Sequence, residues 1–257
     1  MLEVINLSCG YGNKSILEDV SFTAKAGDIV CILGSNGSGK STLVKSIMGL
    51  IKPFKGEVLI DGKSILNWSW KKRAQLISYI PQAFSSTFQY KVKDIVLMGR
   101  TSYLKFSSSP SREDEKIAEQ AMETLKISHL KDKIYSHLSG GERQLVKIAQ
   151  ALAQQSKIII MDEPTNNLDF GNQMVMLKHL KECSEKGMIV IMVTHFPEHA
   201  FLYGTKALLV KEGKVIEVDE PNNNLKEGDL RNLYEVDLKV SELKYKNKNI
   251  KMCIPMI

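Results

Sequence analysis

The 257-residue chain has only four cysteines, Cys9, Cys31, Cys183 and Cys253, and no C-x-x-C pair among them. Such scatter argues against a zinc knuckle or a disulfide framework and fits a reduced, cytosolic compartment. Nor is there an apolar run near the roughly 18 residues that a membrane-crossing helix needs. The segments "IIIM" and "MIVIMV" are strand-length pieces, and the opening "MLEVINLSCG" has no signal-peptide pattern. Internal repeats and low-complexity tracts are also missing. The expectation is a folded chain that does not itself span a membrane.

With 43% hydrophobic and 25% charged residues, the composition is that of an ordinary folded protein. The length suits one large domain, or one domain carrying an insert, better than two full domains. A net charge of +6 suits an anionic ligand or a membrane-facing surface without choosing between them.

Along the chain, "LEVINLSC" and "ILEDVSFTA" read as strands separated by the turn-rich "GYGNKS". "GDIVCIL" reads as a buried strand entering a glycine-rich loop, and "KSTLVKSIMGL" as a helix with Leu43, Ile47 and Leu50 on one face. "GEVLIDGKSI" looks like a hairpin and "LISYIPQ" like a strand stopped by Pro81. Residues 83 to 155 change character: Ser111 and Asp114 resemble a capping box, and Ile117, Ala121 and Leu125 form a stripe behind it. "KIIIMDE" and "MIVIMVTH" then resume as near-continuous apolar runs, the mark of parallel strands covered on both faces. From about Pro221 the chain turns polar, and "KVSELKYKNKNIKM" reads as a solvated hairpin or tail, with a membrane or partner patch as the alternative.

Gly34 to Ser41 fits G-x-x-x-x-G-K-[ST] in full, in the strand, loop and helix context that a phosphate loop requires. Backbone N–H groups from Ser35 through Asn36, Gly37, Ser38 and Gly39 to Lys40 can surround phosphate oxygens. Lys40 would reach the β and γ groups and Ser41 would ligate Mg²⁺, with Thr42 next in the motif. A nucleoside triphosphate with magnesium also needs a carboxylate-bearing element, and "KIIIMDEPT" ends in Asp162 and Glu163. Successive strand residues point in opposite directions, so the turn at Pro164 is expected to redirect Glu163. Asp162 is assigned to the Mg²⁺ shell and Glu163 to the attacking water as general base. His195 closes another apolar strand at the presumed sheet edge where Asp162 and Gln82 emerge, the kind of edge at which open parallel sheets bind ligands. "LSGGERQ" at 138–144 opens a helix whose first N–H groups form a second anion cradle.

In this order, these pieces resemble the ATP-binding cassette family of transporter ATPases over essentially the whole chain. The resemblance implies an α/β fold with a P-loop NTPase core and mainly parallel sheet, an N-terminal antiparallel β subdomain and an inserted helical subdomain. It places the ATPase domain at 1–220, with the insert at about 83–155, and a C-terminal extension packing on the core at 221–257. It implies that Tyr11 stacks on adenine, that Gln82 is the switch-loop glutamine sensing Mg²⁺ and the γ-phosphate, and that His195 is the switch histidine. It also makes "NNLD", Asn166 to Asp169, the dimer loop. Ser139, Gly140 and Gly141 would then donate to the γ-phosphate of ATP held by a second copy of the chain. Ser35 stands where proline is frequent, and Leu145 and Gln150 where many members carry arginine.

"VKDIVLMGRTSYL" and "LDFGNQ" further resemble the ATPases that import metal chelates (iron-siderophores, haem and cobalamin), with molybdate and tungstate importers close by. That implies a peripheral protein on the cytoplasmic face of the membrane, working with two transmembrane permease subunits and, indirectly, an extracytoplasmic binding protein. The alternatives are the ATPase of another importer or of an exporter, or a soluble ATPase acting on nucleic acid or the ribosome. The single cassette with a compact insert argues against the last, and no nucleic-acid partner is expected.

Overall fold

The computed structural model describes residues 1–82, 89–105, 108–166, 168–245 and 248–256. The expected start of the helical insert near residue 83 and Asn167 of "NNLD" lie outside the described residues. The chain forms two compact units, one joining Met1–Trp68 to Ser184–Ile257 and the other spanning Ser69–Cys183.

The first unit opens with strands β1 (Leu2–Tyr11) and β2 (Lys14–Ala24), paired antiparallel. Pairing runs out to Tyr11 and Lys14, so the turn-rich stretch contracts to Gly12 and Asn13. Strand β3 (Ile29–Leu33) is buried at every position, as its unbroken apolar run implies. Helix α1 (Lys40–Ile47) buries Leu43 and Ile47. Leu50 does not share that face: it lies beyond the helix and is 53% exposed. The cause is Gly49, in the left-handed region at φ 70, with Leu50 N–H bonded to the Lys45 carbonyl at 2.8 Å. That six-to-one bond, together with Gly49 N–H on the Ser46 carbonyl, closes the helix one turn early. Strands β4 (Lys55–Ile60) and β5 (Lys63–Ser64) form the expected hairpin and complete an antiparallel sheet in the order β2-β1-β4-β5.

The second unit contains α2 (Trp70–Leu76), β6 (Ile77–Ile80), α3 (Val92–Leu97), α4 (Arg112–Thr124), α5 (Gly140–Ala153), β7 (Ile158–Asp162) and α6 (Phe170–Glu185). Strands β6 and β7 pair in parallel, Ile80 opposite Met161, and β6 stops before Pro81. The capping box is present: the Ser111 hydroxyl accepts from Asp114 N–H, and Asp114 accepts from Ser111 N–H. Ala121 and Leu125 of the expected stripe are buried, joined by Ala118 and Met122, while Ile117 is only half-buried. The charged Asp114 carboxylate is buried on the same face.

That carboxylate meets Arg100, the arginine of "VLMGR". Arg100 Nε donates to Asp114 at 2.9 Å, and Nη1 to the Ala153 carbonyl at 2.8 Å and Gln155 at 2.9 Å. Its guanidinium lies 4.0 Å from the Tyr103 ring centroid. The preceding Gly99 admits no side chain, since a Cβ there would stand 2.2 Å from the Gln150 carbonyl. "MGR" therefore clamps α5 against the segment after α3.

The chain returns to the first unit with β8 (Ile189–Val193), α7 (Pro197–Tyr203), β9 (Lys206–Lys211), β10 (Lys214–Asp219), α8 (Pro221–Asn224) and α9 (Glu227–Tyr234). It ends in the hairpin β11 (Leu238–Tyr245) and β12 (Lys248–Pro255). Strand β3 lies between β8 and β9, parallel to both, and β10 pairs antiparallel with β9. Parallel neighbours far apart in sequence require crossover connections, so the phosphate loop after β3 and His195 after β8 leave from the same end of adjacent strands.

The Ser111 hydroxyl and then Arg100 hold the Asp114 carboxyl down to about 2. Its folded value is depressed, so this stabilisation is present above pH ~4 and fades as pH falls towards 2. Arg100→Met, which leaves the buried carboxylate short of its cation, is expected to destabilise the fold at pH 7 by about 3 kcal/mol. In urea titrations, the deficit of Asp114→Asn relative to wild type should shrink between pH 4 and 2.

Candidate active site

In the first unit the phosphate loop is built around a lysine. Lys40 is 6% exposed, and its Nζ donates to the Gly34 and Ser35 carbonyls, each at 2.8 Å. A buried ammonium demands acceptors, and the loop's own carbonyls supply them. Helix α1 starts from Gly39 with no side-chain cap and no acidic residue in its first turn, so the dipole there is not offset locally. The Ser38 hydroxyl is buried with no hydrogen-bond partner. Ser41 is exposed and Thr42 buried. Together with an uncapped helix start, an orphaned hydroxyl and a lysine within reach, the cradle suits a polyphosphate.

Beside Ser35, Asn36, Gly37 and Ser38 lies an open pocket of about 530 Å³, also lined by Ile16 and Lys14. Tyr11, at the end of β1, is 51% exposed, with the Lys45 ammonium 6.0 Å from its ring centroid. His195, half-buried after β8, follows Thr194, whose hydroxyl meets His199 Nδ1 at 2.8 Å and accepts from Phe196 N–H at 3.1 Å. Burial pushes the His199 imidazole down to about 4, so it is neutral at physiological pH and serves as a fixed support.

In the second unit the carboxylates follow β7. Glu163 sits in the left-handed region at φ 48, a conformation that costs a non-glycine residue energy. This bend at Glu163 itself, rather than Pro164 alone, turns the residue away from the strand alternation. Gln82 Nε2 donates to Glu163 Oε2 at 2.5 Å, and Asn166 Nδ2 bonds the same oxygen. Two residues proposed from separate motifs thus meet. Asp162 is held by the Tyr79 phenol, whose pKa rises to about 12 from burial and from that carboxylate.

The "LSGGERQ" helix start, also in the second unit, is occupied from within. Ser139 caps α5, accepting from Glu142 N–H at 3.2 Å, while Glu142 Oε2 accepts from Ser139 N–H at 2.8 Å. Because the Ser139 oxygen is the acceptor, its own proton remains to be donated outward. The Ser139 backbone bond, first among several contacts, lowers the Glu142 carboxyl. Gly141 is packed so closely that a Cβ would stand 2.6 Å from the Asn172 side chain. Asn172 is in turn held by Asp169, its N–H on Oδ1 at 2.8 Å and Nδ2 on Oδ2 at 2.6 Å. The signature glycine and the last residue of "NNLD" are therefore joined through one asparagine.

Tyr79, Thr194 and His199 have no signal as site residues in the sequence and need the folded chain. Asn166 is marked there as the first residue of the dimer loop, but not as a partner of Glu163. Among the described residues no cluster of three His, Cys, Asp or Glu side chains could hold a metal by itself. Among the same residues no helix is long and apolar enough to cross a membrane.

The family model described as ABC transporter matches residues 17–166. The chain is 34% identical to the molybdate import ATP-binding protein MolC of Haemophilus influenzae, over 99% of this chain and 96% of that protein. It is also 34% identical to the hemin import ATP-binding protein HmuV of Pseudomonas fluorescens, over 93% of this chain and 94% of that one. A solved structure described as an inward-facing conformation of a metal-chelate type ABC transporter superposes with TM-score 0.89 at 32% identity, covering 100% of this chain and 97% of that one. A dimeric ATP-binding cassette bound to ADP and phosphate in a post-hydrolysis state gives TM-score 0.73 at 29% identity, over 86% of this chain and 99% of that one. With the phosphate loop, the paired carboxylates and the signature helix all in place, the chain belongs to the ABC transporter family as an ATP-binding, ATP-hydrolysing subunit.

Proposed function

We propose that the chain powers import of a metal chelate (an iron-siderophore, haem or cobalamin) or of a related oxyanion such as molybdate. Two copies would act beneath two transmembrane permease subunits, served indirectly by an extracytoplasmic binding protein, at the cytoplasmic face of the membrane. Residues 1–220 make up the ATPase domain with its helical insert at about 83–155, and residues 221–257 the extension. The relatives named for molybdate and hemin import, matched along nearly the whole chain, support this cargo class.

The observation that carries the dimeric mechanism is an asymmetry between the two helix starts. Helix α1 has a buried lysine and no cap, whereas α5 has glycines and a hydroxyl but no lysine within its own first turn. An N-terminus of the second kind adds about 0.3–1 kcal/mol of attraction for a phosphate already held elsewhere. ATP is thus gripped by Gly34–Thr42 and Tyr11 of one copy and closed over by Ser139, Gly140 and Gly141 of the other, with Asp169 at the seam. ATP binding favours the closed pair because only that state makes both sets of contacts.

Hydrolysis follows from the carboxylate arrangement. Glu163, aimed by Gln82 and Asn166, takes a proton from water as the water oxygen bonds to the γ-phosphorus and the bond to ADP breaks. His195 stabilises the charge that gathers on the γ-phosphate oxygens. The hydroxyl, amide and carboxylate oxygens of Ser41, Gln82 and Asp162 are hard donors suited to Mg²⁺. When bound, that ion neutralises charge on the β- and γ-phosphate oxygens.

Glu163→Gln is expected to lower kcat about 100-fold or more while ATP binding persists, read by phosphate release and nucleotide titration. A variant turning over at the wild-type rate removes the general-base role. Gly141→Ala, which must displace Asn172 from Asp169, is expected to cut hydrolysis about tenfold and weaken ATP-dependent dimerisation in sedimentation. With the permease and binding protein reconstituted in vesicles, ATPase stimulation by ferric siderophore, haem, cobalamin or molybdate identifies the cargo. Stimulation by none of the four overturns this import reading.

A further inference from the structure

The C-terminal segment carries a side chain that the hydrolytic scheme leaves unused. Tyr234, the last residue of α9, donates its phenol proton to the His195 carbonyl at 3.3 Å. The Gly34 backbone, at the entry to the phosphate loop, faces the same phenol oxygen. One hydroxyl therefore stands between the loop that holds triphosphate and the loop that holds the histidine.

The rest of the segment fixes that tyrosine. Leu230 and Leu233 anchor α9 in the core. Arg231 Nε donates to the Leu238 carbonyl at 2.7 Å, and Glu227 accepts from Val240 N–H at 2.9 Å, tying α9 to β11. Lys211 donates to the Asn232 carbonyl at 2.6 Å and pairs with Glu235 at 2.9 Å, tying the end of α9 to β9. The other strand of the hairpin holds α7, which begins two residues after His195: Cys253 N–H donates to Glu198 at 3.0 Å. Burial, then the Glu198 carboxylate, pushes the Cys253 thiol up to about 12, so it stays protonated beside that carboxylate.

We propose that Tyr234 is a positioning residue that sets the His195 loop against the phosphate loop, with α9 and strands β11 and β12 as the brace that holds it there. The inference rests on the reading of His195 as the residue at the γ-phosphate. It gives the lysine-rich C-terminal hairpin a role inside its own chain. A phenol neutral at every working pH is suited to such a post, since it offers one donor and one acceptor at a fixed distance from the backbone.

The test uses the full-length protein with Tyr234→Phe, His195→Ala and the double variant, each followed by a thermal melt. Tyr234→Phe is expected to lower kcat about three- to tenfold, the scale of one hydrogen bond, with KM for ATP within about twofold of wild type. The double variant should be no slower than His195→Ala alone, because the phenol acts only through that loop. The ¹⁵N resonance of Phe196, whose amide shares a peptide plane with the His195 carbonyl, should move in Tyr234→Phe. An unchanged kcat, a raised KM with kcat intact, or full additivity with His195→Ala overturns the proposal. Should His195→Ala itself hydrolyse ATP normally, the catalytic reading of His195 fails, and the Phe196 resonance alone decides whether Tyr234 holds the loop. If Tyr234→Phe melts early, Glu198→Ala supplies the same comparison: it frees Cys253 from α7 while leaving the phenol in place. It should slow hydrolysis only where His195 is present, and an equal effect in both backgrounds refutes the brace.

Discussion

A lysine ammonium inside a loop of carbonyls is the interaction on which the site depends. Lys40 Nζ has been drawn out of water and sits on two backbone oxygens of its own loop. Those bonds offset part of its desolvation cost and tie the lysine to the start of the loop. A phosphate entering this cradle offers the ammonium charged oxygens in place of neutral carbonyls, a stronger acceptor by roughly a factor of two. The exchange would favour phosphate over water in the cradle.

The same logic recurs at the carboxylates and the second helix start. Glu163 is held by Gln82 and Asn166, and the Ser139 N–H at the head of α5 is answered by Glu142. Glu163 and the signature helix start thus each have a partner within the chain. The partners are weak enough to yield: Glu142 is bonded to its own helix start, where its carboxylate competes with any arriving phosphate. Left unpaired, these groups would each be an exposed or half-buried cost to folding. Paired, they keep the free chain stable and leave the ligand to win by charge and by number of contacts.

The candidate site residues stand out in the sequence because the chemistry proposed for them leaves almost no freedom in type or spacing. A phosphate loop needs glycine, lysine and serine at set intervals, and a strand-end Asp-Glu pair is conspicuous after an apolar run. The supports were not legible, because Tyr79, Thr194 and His199 act through placement and any sequence contains many such residues. The end of α1 was misjudged for a local reason: Leu50 keeps helical spacing, and only the left-handed backbone at Gly49 shows that the helix has already closed. Likewise the apolar letters of α4 mark Ala121 and Leu125 but not Asp114, a charged residue that takes one of the buried positions through Arg100. Apolar periodicity finds such a face but is blind to the paired charge inside it.

The motif "VLMGR" shows how a family likeness and a physical cause can be separated. As letters it pointed to cargo class; as structure it is a clamp in which Gly99 lets one backbone touch another and Arg100 satisfies three acceptors at once. Nothing in that clamp can sense a transported molecule. Its bearing on transport is indirect: it keeps α3, α4 and α5 in one packed group, and α5 carries Ser139 and the glycines at its head. A rigid α5 would pass a push on the helical segment to the signature residues as displacement, since a loosely packed helix would absorb the motion by local rearrangement.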